Sequence, residues 1–162
     1  MYAIITGASS GCGYEYARVM ASKGYDLLIV SNEETIHDKA NLLRQEYGTT
    51  VLSLVQDLGV QEAAKLLYDY CHTNGIEVEV LINNAGVYHD RDFLEDTEGF
   101  NQLILNLHMH TPAMLMYYFG QDMVKRGKGY ILNMCSITAD IAVQRLSTYG
   151  ATKAFLQNFT RS

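Results

Sequence analysis

The chain predicts an α/β fold built on a doubly wound parallel sheet, and three observations carry that prediction. Strand-like apolar runs alternate with helix-like stretches along all 162 residues. Runs such as Leu27-Leu28-Ile29-Val30 are apolar at consecutive positions, which suits parallel strands covered on both faces. A glycine-rich turn stands where the first strand meets the first helix. A βαβαβ alternation of this kind winds with right-handed crossovers.

The elements follow in order. Tyr2–Ile5 reads as strand one and opens into the glycine turn. A helix from Gly13 to Lys23 ends at Gly24, a natural stop. Asp26–Ser31 is strand two. Thr35–Tyr47 has helical periodicity through Ile36, Ala40, Leu43 and Tyr47, and Gly48 ends it. Val51–Val55 is strand three, Val60–His72 a helix and Val78–Ile82 strand four. Asn84 to Asp96 reads as a loop. One long helix is expected from Glu98 to Lys125, then strand five at Tyr130–Met134 and a last helix from Ser147 to the end. No repeat, low-complexity segment or linker divides the chain, so residues 1–162 form a single domain.

Composition excludes several classes. Hydrophobic residues make up 48% and charged residues 19%, which fits a packed domain and not a disordered chain. A formal net charge of -6 argues against nucleic-acid binding, which draws its affinity from Lys and Arg on phosphates. Cys12, Cys71 and Cys135 are odd in number and lack metal spacing, so they read as free thiols in a reducing, cytoplasmic setting. The first residues have no basic start and too short an apolar run for a signal peptide. Leu103 to Val124 is apolar-rich, but Asn106, His108, His110, Pro112 and Gln121 interrupt it, against a membrane span.

Four stretches carry candidate chemistry. In Thr6-Gly7-Ala8-Ser9-Ser10-Gly11-Cys12-Gly13, Gly7 suits a tight turn, while Gly11 and Gly13 let a pyrophosphate approach the backbone. The free N–H groups and dipole of the following helix then face the anion. A strand–helix turn with no ligand is the competing reading. Asp57, with Leu58 beside it, follows strand three, where a carboxylate can accept from an adenine amino group or simply start a helix. Asn83-Asn84-Ala85-Gly86 follows strand four, at the edge where open α/β sheets bind ligands; an Asn-rich turn is the alternative. Finally, Tyr149 and Lys153 lie four apart on a helix and share a face. A free phenol titrates near ~10, and a neighbouring ammonium favours its ionised form. Such a Tyr can pass a proton to or from a reacting oxygen. Ser136, just past strand five, is placed to hydrogen-bond that oxygen. Tyr-x-x-x-Lys pairs are frequent on exposed helices, so the weight lies in order and placement.

Taken together, these residues resemble the short-chain dehydrogenase/reductase family. Thr6–Gly13 is similar to its TGxxxGxG loop and Asn83–Gly86 to its NNAG motif. Asn106 matches its long-helix asparagine, and Ser136, Tyr149 and Lys153 its remaining catalytic positions; the Ser-to-Tyr spacing of thirteen (149 − 136) fits. The resemblance implies a Rossmann-type sheet of order 3-2-1-4-5 and hydride transfer between an NAD or NADP cofactor and a small carbonyl or alcohol. It implies Tyr149 as acid/base, Lys153 as its electrostatic partner and ribose anchor, Ser136 as the group orienting the substrate oxygen, and Asn106 in a proton relay. The cofactor would contact Gly7, Ser9, Ser10, Gly11, Cys12, Gly13, Ser31, Asn32, Asp57, Leu58, Asn84, Ala85 and Gly86, with Tyr149 and Lys153. It further implies a homodimer through the long helix near 98–125 and the last helix.

The chain departs from the family in three ways. Cys12 stands where an aliphatic residue is usual, and Cys135 where a second serine is common. Family members run on through a sixth and a seventh strand, whereas nine residues follow Lys153 here (162 − 153). The chain is therefore expected to be a piece of a longer protein, with an open sheet edge beyond strand five. That leaves a second reading: a non-catalytic nucleotide-binding fragment or assembly partner. At the end of strand two, Ser31 and Asn32 replace both the acid of NAD-preferring members and the Arg of NADP-preferring ones, while Glu33 and Glu34 would repel a 2′-phosphate, so the choice between NAD and NADP stays open. His108 and His110, two apart on a helix, share no face and suggest no metal site.

Overall fold

The computed structural model describes residues 1–162. Five strands, β1 (Tyr2–Thr6), β2 (Asp26–Ser31), β3 (Val51–Val55), β4 (Val78–Asn83) and β5 (Tyr130–Asn133), form one parallel sheet. Its order is β3-β2-β1-β4-β5, as the resemblance implied. The helices are α1 (Gly11–Ser22), α2 (Ile36–Tyr47), α3 (Ala63–Thr73), α4 (Glu98–Leu105), α5 (Thr111–Arg126) and α6 (Ser147–Arg161).

The consecutive apolar runs do what parallel strands require, sending alternate side chains to opposite faces. Ile4, Leu28, Val30 and Leu81 pack with Leu67 and Cys71 of α3 and Leu115 and Phe119 of α5. Ala3, Ile5, Leu27, Ile29 and Ile82 pack with Ala17 and Ala21 of α1 and Ile36, Ala40 and Leu43 of α2. The sheet is thus the middle of three layers, with the central strands buried on both sides.

The register aligns Thr6 with Val30, and Asn83 with Asn133, along one edge of the sheet. From β1 the chain steps to β2 and β3 on one side, then returns to place β4 on the other side of β1. The loops after β1 and β4 therefore part at the strand ends, the switch point where open α/β sheets hold ligands.

The expected single helix from Glu98 to Lys125 is broken by a π-helical turn, Asn106–His110. Thr111 N–H donates to Asn106 O, five residues back. Pro112 opens α5 and has no N–H for the carbonyl four residues earlier, that of His108, so the regular ladder fails here. Smaller differences are the earlier start of α1, the later start of α3 and a 3-10 turn at Ile137–Ala139. Tyr130 and Leu132 are exposed on β5, which pairs only with β4. No helix is long and apolar enough to cross a membrane.

Candidate active site

The ends of β1 and β4 are stitched together by one hydroxyl. Thr6 Oγ1 accepts from the N–H groups of Asn84 (2.9 Å) and Ala85 (3.0 Å) and donates to Ile82 O (3.3 Å). Asn84 Nδ2 answers by donating to Thr6 O (3.0 Å) and Gly7 O (3.2 Å). This brings the two loops so close that two glycines are required. Gly7 has φ +66°, and a Cβ there would lie 2.7 Å from Ala85 Cα. A Cβ on Gly13 would lie 2.1 Å from Gly7 O. Ser10 precedes α1 in extended geometry with no side-chain cap, so the first-turn N–H groups of α1 stay free for an anion.

Between these loops and the end of β2 lies a groove of about 480 Å³, the size of a cofactor or small-molecule site. Gly7, Ser9, Ser10, Cys12, Gly13, Ser31, Asn32, Asp57, Leu58, Asn84, Ala85 and Gly86, all expected at a cofactor, line it. Glu33, whose charge bears on a 2′-phosphate, joins them, as do Gln56, Val87, Leu103 and Leu107, which the sequence did not single out. Gly11 lies outside this lining, exposed at the start of α1. The only charged side chains on the groove are Glu33 and Asp57. Asp57 Oδ1 accepts from Gly59 N–H (2.8 Å), and Ser31 Oγ accepts from Glu33 N–H (3.2 Å).

Tyr149 and Lys153 do not line the groove; they stand on α6 behind the turn that carries Gly86 and Val87. The Tyr149 ring meets Tyr88 edge-on at 5.5 Å and His108 edge-on at 5.6 Å. Lys153 Nζ lies 5.7 Å from the Tyr149 ring centroid, within cation–π range. Lys153 is only 4% exposed, and its Nζ donates to Met134 O at 2.8 Å. Burial lowers its pKa, since the ammonium has left water. Ser136 Oγ accepts from Thr138 N–H (3.2 Å) and Thr138 Oγ1 (2.9 Å), which leaves its own O–H to donate. Cys135 Sγ reaches Lys153 O, so this segment packs on α6.

Asn106 sits at the start of the π turn, where Nδ2 donates to Gly59 O (2.8 Å) and Oδ1 accepts from Gln102 Nε2 (3.1 Å). Thr111 Oγ1 donates to Leu58 O (2.8 Å) and His110 Nε2 to Gln61 O (3.1 Å). The π turn is thus tied to the loop after β3 by three side chains.

His108, which from the sequence suggested only a metal to be declined, is 1% exposed. Its Nε2 accepts from Val87 N–H (3.0 Å), so the ring proton sits on Nδ1, 3.1 Å from Thr152 Oγ1. Thr152 Oγ1 in turn donates to Tyr149 O (2.8 Å). A Cβ on Gly86 would come within 2.9 Å of His108 Nε2. Thr6, His108, Thr152 and Tyr88 are the residues that sequence reasoning passed over. Thr6 opens the glycine motif and was findable there. The other three gain meaning only from contacts between distant segments.

A model of the short chain dehydrogenase family matches residues 1–162. The chain belongs to the short-chain dehydrogenases. It is 27% identical over 167 residues to the very-long-chain 3-oxoacyl-CoA reductase of Rattus norvegicus, covering 99% of this chain and 52% of that protein. It is 28% identical to the bulky-bulky ketone specific alcohol dehydrogenase of Comamonas testosteroni, with a TM-score of 0.92, covering 99% of this chain and 64% of that one. It is 30% identical to a short-chain dehydrogenase of Sphingobium yanoikuyae in complex with NADPH, with a TM-score of 0.91, covering 99% of this chain and 62% of that one. The chain spans about half the length of the rat reductase.

The site has a pH signature. Burial first, and the Lys153 charge second, push the His108 pKa down to about 3. In the unfolded chain a histidine titrates near ~6.5, so between these values the unfolded state binds the extra proton. Stability from the neutral ring is present above ~6.5 and is lost as pH falls toward the folded value. Thermal unfolding should therefore show a midpoint that drops from pH 7 to pH 4 more steeply than that of His108→Gln, which cannot titrate. Equal slopes would contradict a buried neutral imidazole.

Proposed function

We propose that this chain carries the cofactor-binding and catalytic half of an NAD(P)-dependent oxidoreductase acting on a carbonyl/alcohol pair. The observation that carries the reading is the buried Lys153 ammonium one helical turn from Tyr149, behind a glycine-turned groove at the carboxyl edge of a parallel sheet. The groove fits a dinucleotide. Its close-approach glycines leave room for a pyrophosphate, and the uncapped N–H groups of α1 supply donors for it. A bound nicotinamide supplies or accepts the hydride.

The chain's own residues handle the proton. In reduction Tyr149 gives its phenolic proton to the carbonyl oxygen as that oxygen gains charge. Lys153, as a cation near the ring, stabilises the phenolate left behind. The free O–H of Ser136 donates to the same oxygen and fixes the carbonyl. Asn106, anchored to Gly59 O, holds the π turn in the relay position. In alcohol oxidation each proton runs in reverse. That the rat relative is a 3-oxoacyl-CoA reductase and the Comamonas relative a ketone-specific alcohol dehydrogenase supports a carbonyl substrate. The complete catalytic set supports an enzyme over a non-catalytic fragment or assembly partner. NADPH in the Sphingobium relative supports a nicotinamide cofactor.

A homodimer through α5 and α6 is part of this reading, supported by exposed Tyr117 and Val124 on α5 and the stacked Phe155 and Phe159 on α6. Light scattering should give twice the chain mass; a monodisperse monomer would count against it.

For the chemistry, Tyr149→Phe in the complete enzyme should abolish turnover while leaving coenzyme affinity close to wild type. Retained turnover would remove Tyr149 from the mechanism.

A further inference from the structure

Ser136 just past β5, Tyr149 and Lys153 on α6, and the nucleotide groove are separate structures that must be held in one geometry. Backbone ladders do not join them, because the turn after β4 and helix α6 belong to no common sheet or helix. Side chains link them: Tyr88 packs on Tyr149, and one residue makes the polar connection. His108 sits between them, fully buried, and spends both ring nitrogens on the connection. One accepts from Val87 N–H, in the turn that lines the groove. The other faces Thr152 Oγ1, whose hydroxyl continues to Tyr149 O. The His108 ring also meets the Tyr149 ring edge-on at 5.6 Å, as the Tyr88 ring does at 5.5 Å. Gly86 is what lets the imidazole come this close to the turn.

We propose that His108 is a positioning residue, a neutral Nδ1–H imidazole that locks the Asn84–Val87 turn to α6 and so fixes where the Tyr149 phenol stands relative to the groove. This rests on the hydride-transfer reading above and deepens it. His108 touches neither substrate nor coenzyme in this role; it acts through Thr152 and Tyr149. The chain of donors runs one way, from Val87 N–H into Nε2, from Nδ1–H into Thr152 Oγ1, and from Thr152 O–H into Tyr149 O. Every polar atom in it is satisfied, and a buried network of that kind specifies a single arrangement. An apolar ring or branched chain could fill the same space but would orphan Val87 N–H and take from Thr152 Oγ1 the donor it accepts from, leaving only its bond to Tyr149 O. Glutamine keeps one acceptor and one donor on a side chain of similar reach.

The test compares wild type, His108→Leu and His108→Gln, with two kinds of readout. Nitrogen NMR of the ring should show the proton on Nδ1 from pH 8 to pH 5, and aromatic carbon relaxation should show the Tyr149 ring ordered in wild type and His108→Gln but mobile in His108→Leu. In steady-state assays of the complete enzyme on a ketone, His108→Leu should lose kcat on the order of 10²-fold, the scale of a misplaced catalytic group. Its coenzyme dissociation constant should change by less than about threefold, and His108→Gln should recover most of kcat. A purely structural role would instead lower the unfolding midpoint of both variants and move kcat no more than the folded fraction. Wild-type kcat in a folded His108→Leu, an Nε2–H tautomer, or a Tyr149 ring equally ordered in all three would overturn the proposal. Wild type that turns nothing over would defeat the hydride-transfer reading instead, and the ring-order comparison would still decide the positioning claim.

Discussion

The Thr6 hydroxyl is the constraint from which the rest of the site follows. It takes two backbone amides from the turn after β4 and gives its own proton back to Ile82 O. An amide buried without a partner costs about 1–3 kcal/mol, so this one side chain fixes how close the two loops lie. Once they are that close, Gly7 and Gly13 cannot carry a Cβ, Asn84 must turn its amide onto the β1 carbonyls, and α1 must begin with its N–H groups open to the groove. The glycine motif reads as a cofactor signature, but physically it is the consequence of two strand ends meeting at a switch point.

The second half of the site depends on a fault in a helix. Pro112 removes one rung of the ladder, and the π turn that results sends Asn106, His110 and Thr111 to three carbonyls of the loop after β3. The same turn places His108 between the turn after β4 and α6. Irregular turns of this kind recur at functional sites because they aim side chains that a regular helix would direct elsewhere. Beneath them, Lys153 is out of water, with Met134 O accepting from its ammonium. Burying that charge is costly, and such a cost persists where the charge has work to do on a neighbour.

The strands were legible in the sequence because each is a short unbroken apolar run, and residues such as Leu27–Val30 are indeed buried on both faces. The strand order was legible only through the family resemblance, since local pattern says nothing of which strands pair. Most residues expected at a cofactor line one groove because they cluster just past strand ends, while Gly11, Tyr149 and Lys153 lie outside it. The helix from Glu98 to Lys125 reads as continuous because its composition is helix-like throughout, and local sequence does not reveal that the N–H missing at Pro112 is met by a π turn rather than a break. Helical spacing bears only on whether His108 and His110 share a face, and they do go to different partners; it says nothing of what His108 does alone. Its partners Val87 and Thr152 lie 21 and 44 residues away, beyond any local signal.

The claim that the Thr6 junction builds the coenzyme groove is tested most directly by titrating NADH and NADPH, by nicotinamide fluorescence, into this chain and into Thr6→Val. Valine keeps the shape and removes the acceptor. Saturable binding by wild type, weakened at least about tenfold in Thr6→Val with an unchanged far-UV circular dichroism spectrum, is the predicted result, since orphaning the two amides is expected to cost more than ~1.4 kcal/mol. Equal binding by both chains would contradict the account, and so would the failure of wild type to bind either coenzyme.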